Sequence, residues 1–281
     1  MADKPKHASD YKSEQVAAVR GMCLYVATKL GDMMDDLLIV GGLVPSLIID
    51  QDDGSDNIER HVGTLDLDVG LQVALLNDGR YRQLTERLRD AGFVMDKNEA
   101  GKSTRQRWTI PNTGVTIDFL IQPTREGDKG GKLRDLEPDF AAVIAPGLRC
   151  AFRDRKQVTL TGTTLLGEKA TRDIWVCDAG AYIVLKALAF ESRGENKDAY
   201  DLYYVARNYG AAPRDVAAKL RPLLEDPDAQ RALTILKRDF SDPDAVGPMR
   251  VAAFVTGGKD DVLQADVVAF IGQLLAITTA S

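Results

Sequence analysis

The hydrophobic period changes part-way along this 281-residue chain, and that change constrains its architecture more than any other feature. Before about Gly167, short apolar runs alternate with polar residues at a period of two, the mark of half-buried strands. Beyond it, apolar residues recur at helical spacing over 178–191, 197–209, 213–224, 228–240 and 261–277. A mixed first part followed by a helical second part predicts an α+β fold. The expected division is a mixed sheet with helices over 1–166, then an α-helical C-terminal domain over 167–281.

Within the first part the pattern predicts a helix over 13–30. A buried strand over 37–40 follows and runs into Gly41-Gly42, and a helix over 43–49 carries Pro45 in its first turn. Residues 51–59 are acidic and read as a loop. Strands are expected over 64–73, 105–110 and 115–121, with a helix over 81–91. The sequence Pro111-Asn112-Thr113-Gly114 predicts a hairpin turn between the last two strands. Residues 124–135 read as a mobile loop, and 148–160 as short strands with a basic turn at Arg153, Arg155 and Lys156.

Composition weighs against several classes of chemistry. Cys23, Cys150 and Cys177 are odd in number and far apart, which predicts reduced core thiols in a cytoplasmic protein. The scarcity of histidines, His7 and His61 alone, argues against a zinc enzyme and a Ser-His-Asp hydrolase, and His7 lies in a polar N-terminus expected to fray. The polar start, and the lack of an uncharged apolar run of the ~18 residues that span a bilayer, predict no membrane partner. The formal net charge is −6, so a nucleic-acid partner needs a local basic patch. Arg82, Arg87, Arg89, Lys102, Arg105, Arg107, Lys129, Lys132 and Arg134 are the candidates for one.

The chemistry concentrates in Gly-Thr-Leu-Asp-Leu-Asp-Val-Gly-Leu at 63–71. Strand geometry points Asp66 and Asp68 to one side and Leu65, Leu67 and Val69 to the other. Two such carboxylates repel unless a divalent cation lies between them. Asp118 sits in a second apolar run, Val-Thr-Ile-Asp-Phe-Leu-Ile, where an unpartnered charge is unfavourable. Outward-facing positions of half-buried strands would also produce Asp66 and Asp68. Upstream, Ile39 to Ile48 reads as strand, double glycine and helix start. This arrangement lets backbone N–H groups approach a phosphate, and Ser46 adds a hydroxyl.

Together, the Gly41-Gly42 turn, the Asp66-Leu67-Asp68 strand and the Asp118 strand resemble the three signatures of the DNA polymerase β-type nucleotidyltransferase superfamily. A long insert at 51–62 departs from its pattern. The resemblance implies that Asp66 and Asp68 bind two Mg²⁺ ions. Asp118 would ligate one of them and favour deprotonation of the attacking hydroxyl. Gly41, Gly42, Ser46 and Thr64 would contact a nucleoside triphosphate.

The helical part narrows the resemblance. Lys186 is the only charge inside the apolar helix at 178–191, and it either snorkels outward or meets an anion. Asp198 and Asp201 follow one turn apart, although a first-turn acid such as Asp198 also suits a helix dipole. Lys186, Arg193 and the Lys-Asp-x-x-Asp-Leu run at 197–202, with Thr64 before Asp66, resemble the AbiEii/MenT-type nucleotidyltransferase toxins of bacterial toxin–antitoxin and phage-defence systems. The implied activity is transfer of a nucleotide from a nucleoside triphosphate to an acceptor hydroxyl with release of pyrophosphate. The tRNA 3′ end is the favoured acceptor, translation is blocked, and a cognate antitoxin is an implied partner. Lys186 would bind the triphosphate, with Asp198 or Asp201 orienting it or the base. The same three aspartates also fit an enzyme that modifies a small molecule such as an antibiotic, one that adenylylates a protein, or a non-catalytic binding protein of the same fold.

Overall fold

The computed structural model describes residues 5–50, 60–72, 78–98 and 100–280, so the acidic segment read as a loop at 51–59 lies outside the described residues. Among the described residues, nine strands form one mixed sheet and ten α-helices accompany it, most of them C-terminal. The α+β class expected from the change of period is the one observed.

The N-terminal helix α1 (Ser13–Leu30) buries Val19, Met22, Cys23 and Val26. It leads to β1 (Leu37–Val40), four fully buried aliphatic residues at the centre of the sheet. A four-residue helix α2 (Pro45–Ile48) precedes β2 (Asp66–Leu71), and α3 (Asp78–Asp90) follows. Strands β3 (Val94–Lys97), β4 (Ser103–Thr109) and β5 (Thr116–Ile121) extend the sheet on one side. The spatial order is β3-β4-β5-β2-β1-β9-β8. Strand β5 has β2 on one edge and shares its other edge. There β4 pairs at residues 116–118, and β7 (Phe140–Ile144) pairs at Leu120 and Ile121. Strand β6 (Leu133–Glu137) completes a hairpin with β7.

Alternation sorts the two faces of the central strands. Leu67, Val69, Ile117 and Phe119 are fully buried. Phe119 meets Phe140 edge-on at 5.0 Å, and Phe140 in turn meets Trp108 and the α3 residue Tyr81. Aromatic packing of this kind adds to the area buried. The residues between these positions, Asp66, Asp68 and Asp118, are half-buried on the opposite face.

Several expectations from the period are corrected. Residues 148–153 form a short helix, α4 (Leu148–Arg153), because Leu148, Cys150 and Ala151 face the core in one helical turn. Beyond it, β8 (Arg155–Thr163) and β9 (Lys169–Cys177) form a nine-residue-a-side hairpin, so the switch to helices comes only at Ala179. Part of the expected loop at 124–135 is ordered: Arg134 is buried and paired with Asp128.

The helices after the sheet are α5 (Ala179–Arg193), α6 (Asn196–Asn208), α7 (Arg214–Leu220), α8 (Pro227–Asp239), α9 (Val246–Thr256) and α10 (Asp261–Thr279). Helix α9 was not anticipated. Helix α5 starts on Asp178, whose side chain accepts the Ala179 N–H, and ends on Gly194 in the left-handed region. Helix α10 is 19 residues long with mean hydropathy 1.6, long and apolar enough to cross a bilayer. It buries Gln264, Val267, Ile271 and Leu274, and its internal Asp266 is bonded by Tyr203 and lies 3.4 Å from Arg207.

Candidate active site

Strands β2 and β5 run parallel and in register, with Asp66 opposite Thr116 and Asp68 opposite Asp118. In-register partners project to one face, so the three expected carboxylates share it. On the other edge of β2, antiparallel β1 places Val40 opposite Asp68. Gly41 therefore leaves the sheet directly beside that carboxylate. Its φ is +73°, and a Cβ there would lie 1.9 Å from Asp68 Oδ2. A Cβ on Gly42 would lie 2.7 Å from Thr64 Cβ and 3.3 Å from Lys197 Nζ. The double glycine is thus demanded by the close approach of the site's own side chains. The helix expected over 43–49 is a 3-10 turn at Gly41–Leu43 followed by the single turn α2, too short to supply much of a helix dipole. Ser46 Oγ donates to the Leu43 carbonyl at 2.8 Å.

The face is electrostatically loaded. Thr64 Oγ1 donates to Asp66 Oδ1 at 2.8 Å. Burial, and then the charges of Asp66 and Asp118, push the Asp68 carboxyl up to about 8. Burial also raises Asp118, against the opposing effect of Arg107 on β4, which holds both of its oxygens. Crowded acids of this sort are what a divalent cation relieves. Hard oxygen donors on one face suit magnesium, so the residues present fit the ion that the sequence implies. Asp66 and Asp68 would hold it, and Asp118 would join by exchanging Arg107. Among the described residues, no three acidic, histidine or cysteine side chains are drawn together tightly enough to hold an ion as they stand.

The helical part contributes a buried set of opposite charges. Lys186 Nζ lies 3.1 Å from Asp198 Oδ1 and 2.7 Å from Asp201 Oδ2. Arg193 grips Asp198 in two places, at 2.6 and 2.8 Å. Lys197 reaches both oxygens of Asp201, at 2.8 and 2.9 Å. Burial alone would lower the Lys186 pKa, but Asp201 and Asp198 together raise it above the ordinary lysine value. Burial would likewise raise Asp201; Lys186, Lys197 and His61 hold it well below the carboxylate range. The expected trio Lys186, Asp198 and Asp201 is therefore assembled, with the aspartates as the partners of the lysine.

Arg193, which had entered only through the resemblance, proves to be a structural member of this set. His61 and Lys197 belong to it too, and neither was a site candidate from sequence. Gly63 N donates to His61 Nδ1 at 3.0 Å, which assigns the proton to Nε2, and Nε2 donates to Asp201 Oδ1 at 2.8 Å. The ring stacks on Tyr200 and meets Tyr204 edge-on. Burial drives the imidazole pKa down to about 4. His61 thereby joins the segment before Asp66 to helix α6. The only sequence signal for it was a lone histidine three residues before Thr64. Lys197 also lies over the Tyr11 ring at 5.7 Å, and His7 Nδ1 is 3.1 Å from the Ala253 carbonyl. The N-terminal segment is thus tied down where fraying was expected.

Five of the nine basic residues named as an acceptor patch are engaged within the chain. Arg87 pairs with Asp32, Arg89 with Asp139, Arg105 with Asp135, Arg107 with Asp118 and Arg134 with Asp128. Arg82, Lys102, Lys129 and Lys132 are exposed. The chain matches no protein-family model and no curated protein.

Proposed function

We propose that the chain is a Mg²⁺-dependent nucleotidyltransferase of the AbiEii/MenT toxin type, moving a nucleotide from a nucleoside triphosphate to an acceptor hydroxyl. The observation that carries the reading is the Asp68–Asp118 register beside Asp66, flanked by the Gly41-Gly42 turn and facing a cationic set from α5 and α6. Magnesium bound there would supply Lewis-acid stabilisation of phosphate charge. Asp66 and Asp68 would hold and orient it. Asp118, placed one strand away, favours loss of the acceptor's proton once Arg107 releases it. Lys186, Arg193 and Lys197 provide positive potential for charge that develops on the leaving pyrophosphate. Rate enhancement comes from positioning and electrostatics, with no covalent intermediate.

The favoured acceptor is the tRNA 3′ end, with growth arrest as the consequence and an antitoxin as its control. A second acceptor class, a small molecule or a protein, is favoured by one observation: most of the expected basic patch is neutralised by carboxylates of the same chain. Incubation with total RNA and each α-labelled nucleoside triphosphate in turn, with Mg²⁺, separates the two. Label on RNA of tRNA size supports the first class. Label confined to protein or small molecules supports the second, and no Mg²⁺-dependent label anywhere overturns the enzyme reading.

A further inference from the structure

The two charged sets meet at one point. Beside Gly42, Thr64 Oγ1 and Lys197 Nζ approach the place a Cβ would take, at 2.8 and 3.3 Å. Thr64 is bonded onward to Asp66. Lys197 is therefore the cation at the seam between the carboxylate face and the helical ion-pair set.

Lys197 and Lys186 differ in how firmly their charge is used. Lys186 is shared by two aspartates and is nearly sealed, with 9% of its side chain exposed; Lys197 has one aspartate and 16% exposure. Burial lowers the Lys197 pKa and Asp201 does not restore it, whereas the pair Asp201 and Asp198 raises that of Lys186. Asp201 can also spare Lys197. It would keep Lys186 at 2.7 Å and the His61 Nε2–H at 2.8 Å. Three cations, Lys186, Arg193 and Lys197, stand against two carboxylates, so the set carries one uncompensated positive charge. A compact ammonium on a flexible four-carbon stem can turn from one anion to another without rebuilding its surroundings.

We propose that Lys197 is the residue that leaves Asp201 to bind the phosphate chain of the incoming nucleotide, while Lys186 remains as the positioning residue that holds Asp198 and Asp201 in place. The proposal rests on the nucleotidyltransferase reading and assigns the phosphate contact within it.

The test compares wild type, Lys197→Met and Lys197→Gln for binding of the four ribonucleoside triphosphates with Mg²⁺, and of the matching nucleosides, by calorimetry. Thermal midpoints without ligand are recorded alongside. Removing one charge-assisted phosphate contact should weaken triphosphate binding by about 10- to 100-fold. Nucleoside binding should be unchanged, and both variants should stay folded. The glutamine variant can still donate to Asp201, so it keeps the test valid if the methionine variant is unstable. Wild-type triphosphate affinity in a folded Lys197→Gln chain overturns the proposal and leaves the enzyme reading standing. An equal loss for nucleoside and triphosphate also overturns it, since the effect would then be one of shape. Absence of triphosphate binding by the wild type overturns the enzyme reading, and the proposal with it.

Discussion

The carboxylate face of β2 and β5 and the ion-pair set between α5 and α6 handle charge in opposite ways. On the sheet, like charges are held together, and Asp68 is driven towards its protonated form by burial and then by Asp66 and Asp118. Between the helices, opposite charges are interleaved, and every member has at least one partner within 3.1 Å. In the first arrangement Arg107 offsets Asp118, but the repulsion between Asp66 and Asp68 remains; in the second each charge has a partner of opposite sign. A region that holds electrostatic strain in the free chain is the more natural place for chemistry. A region whose opposite charges are interleaved, with one cation in surplus, is a scaffold from which one member can be spared.

That contrast predicts opposite responses to substitution. The largest effect is expected from Asp66→Asn or Asp68→Asn. Either should cut transfer by about a thousandfold or more, the scale of losing a principal electrostatic stabiliser, while circular dichroism and the thermal midpoint stay near wild type. A variant that unfolds, or that keeps near wild-type turnover, would break the distinction. Gly41→Ala comes next. It combines a left-handed backbone with a collision at Asp68 Oδ2 and should cost about 3 kcal/mol in chemical denaturation. A loss below about 0.5 kcal/mol would mean that Asp68 does not hold that position.

Lys186→Ala should lower stability by about 2 kcal/mol. The loss is held below that of an orphaned buried charge, because Asp198 keeps Arg193 and Asp201 keeps Lys197 and His61. An unchanged midpoint with activity lost by orders of magnitude would instead make Lys186 the phosphate ligand, and would move the cation role away from Lys197.

His61 gives a pH signature to the scaffold. Its folded pKa of about 4 lies below the ordinary 6.5, so the unfolded chain takes up a proton that the folded chain refuses. The stability it contributes is present above 6.5 and is lost as pH falls from there towards 4, on the order of 3 kcal/mol in all. His61→Gln should flatten that part of the stability curve. If wild type and variant keep parallel curves between pH 7 and 5, the histidine is not buried against Asp201. The smallest effect belongs to the exposed basic residues. Lys129→Gln or Lys132→Gln should leave turnover within about twofold, and should reduce the salt slope of RNA binding by about one unit each if they touch phosphate.

Sequence made the sheet face legible and the helical set only partly so. Asp66, Asp68 and Asp118 were readable because a period of two leaves few choices for where a strand residue points. Lys186 stood out as one charge in an apolar helix, and Asp198 and Asp201 followed from spacing. His61 was not readable: its partner lies 140 residues away, and a loop has no period to betray burial. Lys197 entered only as the first residue of the Lys-Asp-x-x-Asp-Leu run, and its closeness to Gly42 was not readable from that. The glycines stood out in the sequence as a phosphate turn, but their closeness to the site's own side chains was not readable, since no sequence pattern shows Asp68 folding back against Gly41. Strand β8 matches the strand expected up to Leu160, whereas β9 escaped because its first five residues are mostly exposed and polar, and α4 because six residues are too few to separate a helix from a buried strand.

The central claim is that the sheet carboxylates use magnesium to move a nucleotide. Its most direct test is a paired incubation of the chain with total cellular RNA, Mg²⁺ and the same nucleoside triphosphate labelled either at the α- or at the γ-phosphate. The α-label should enter an acceptor, the γ-label should be released as pyrophosphate, and chelation of Mg²⁺ or Asp66→Asn should remove the incorporation. Retention of γ-label on the acceptor, or incorporation that survives chelation and Asp66→Asn alike, would contradict the claim.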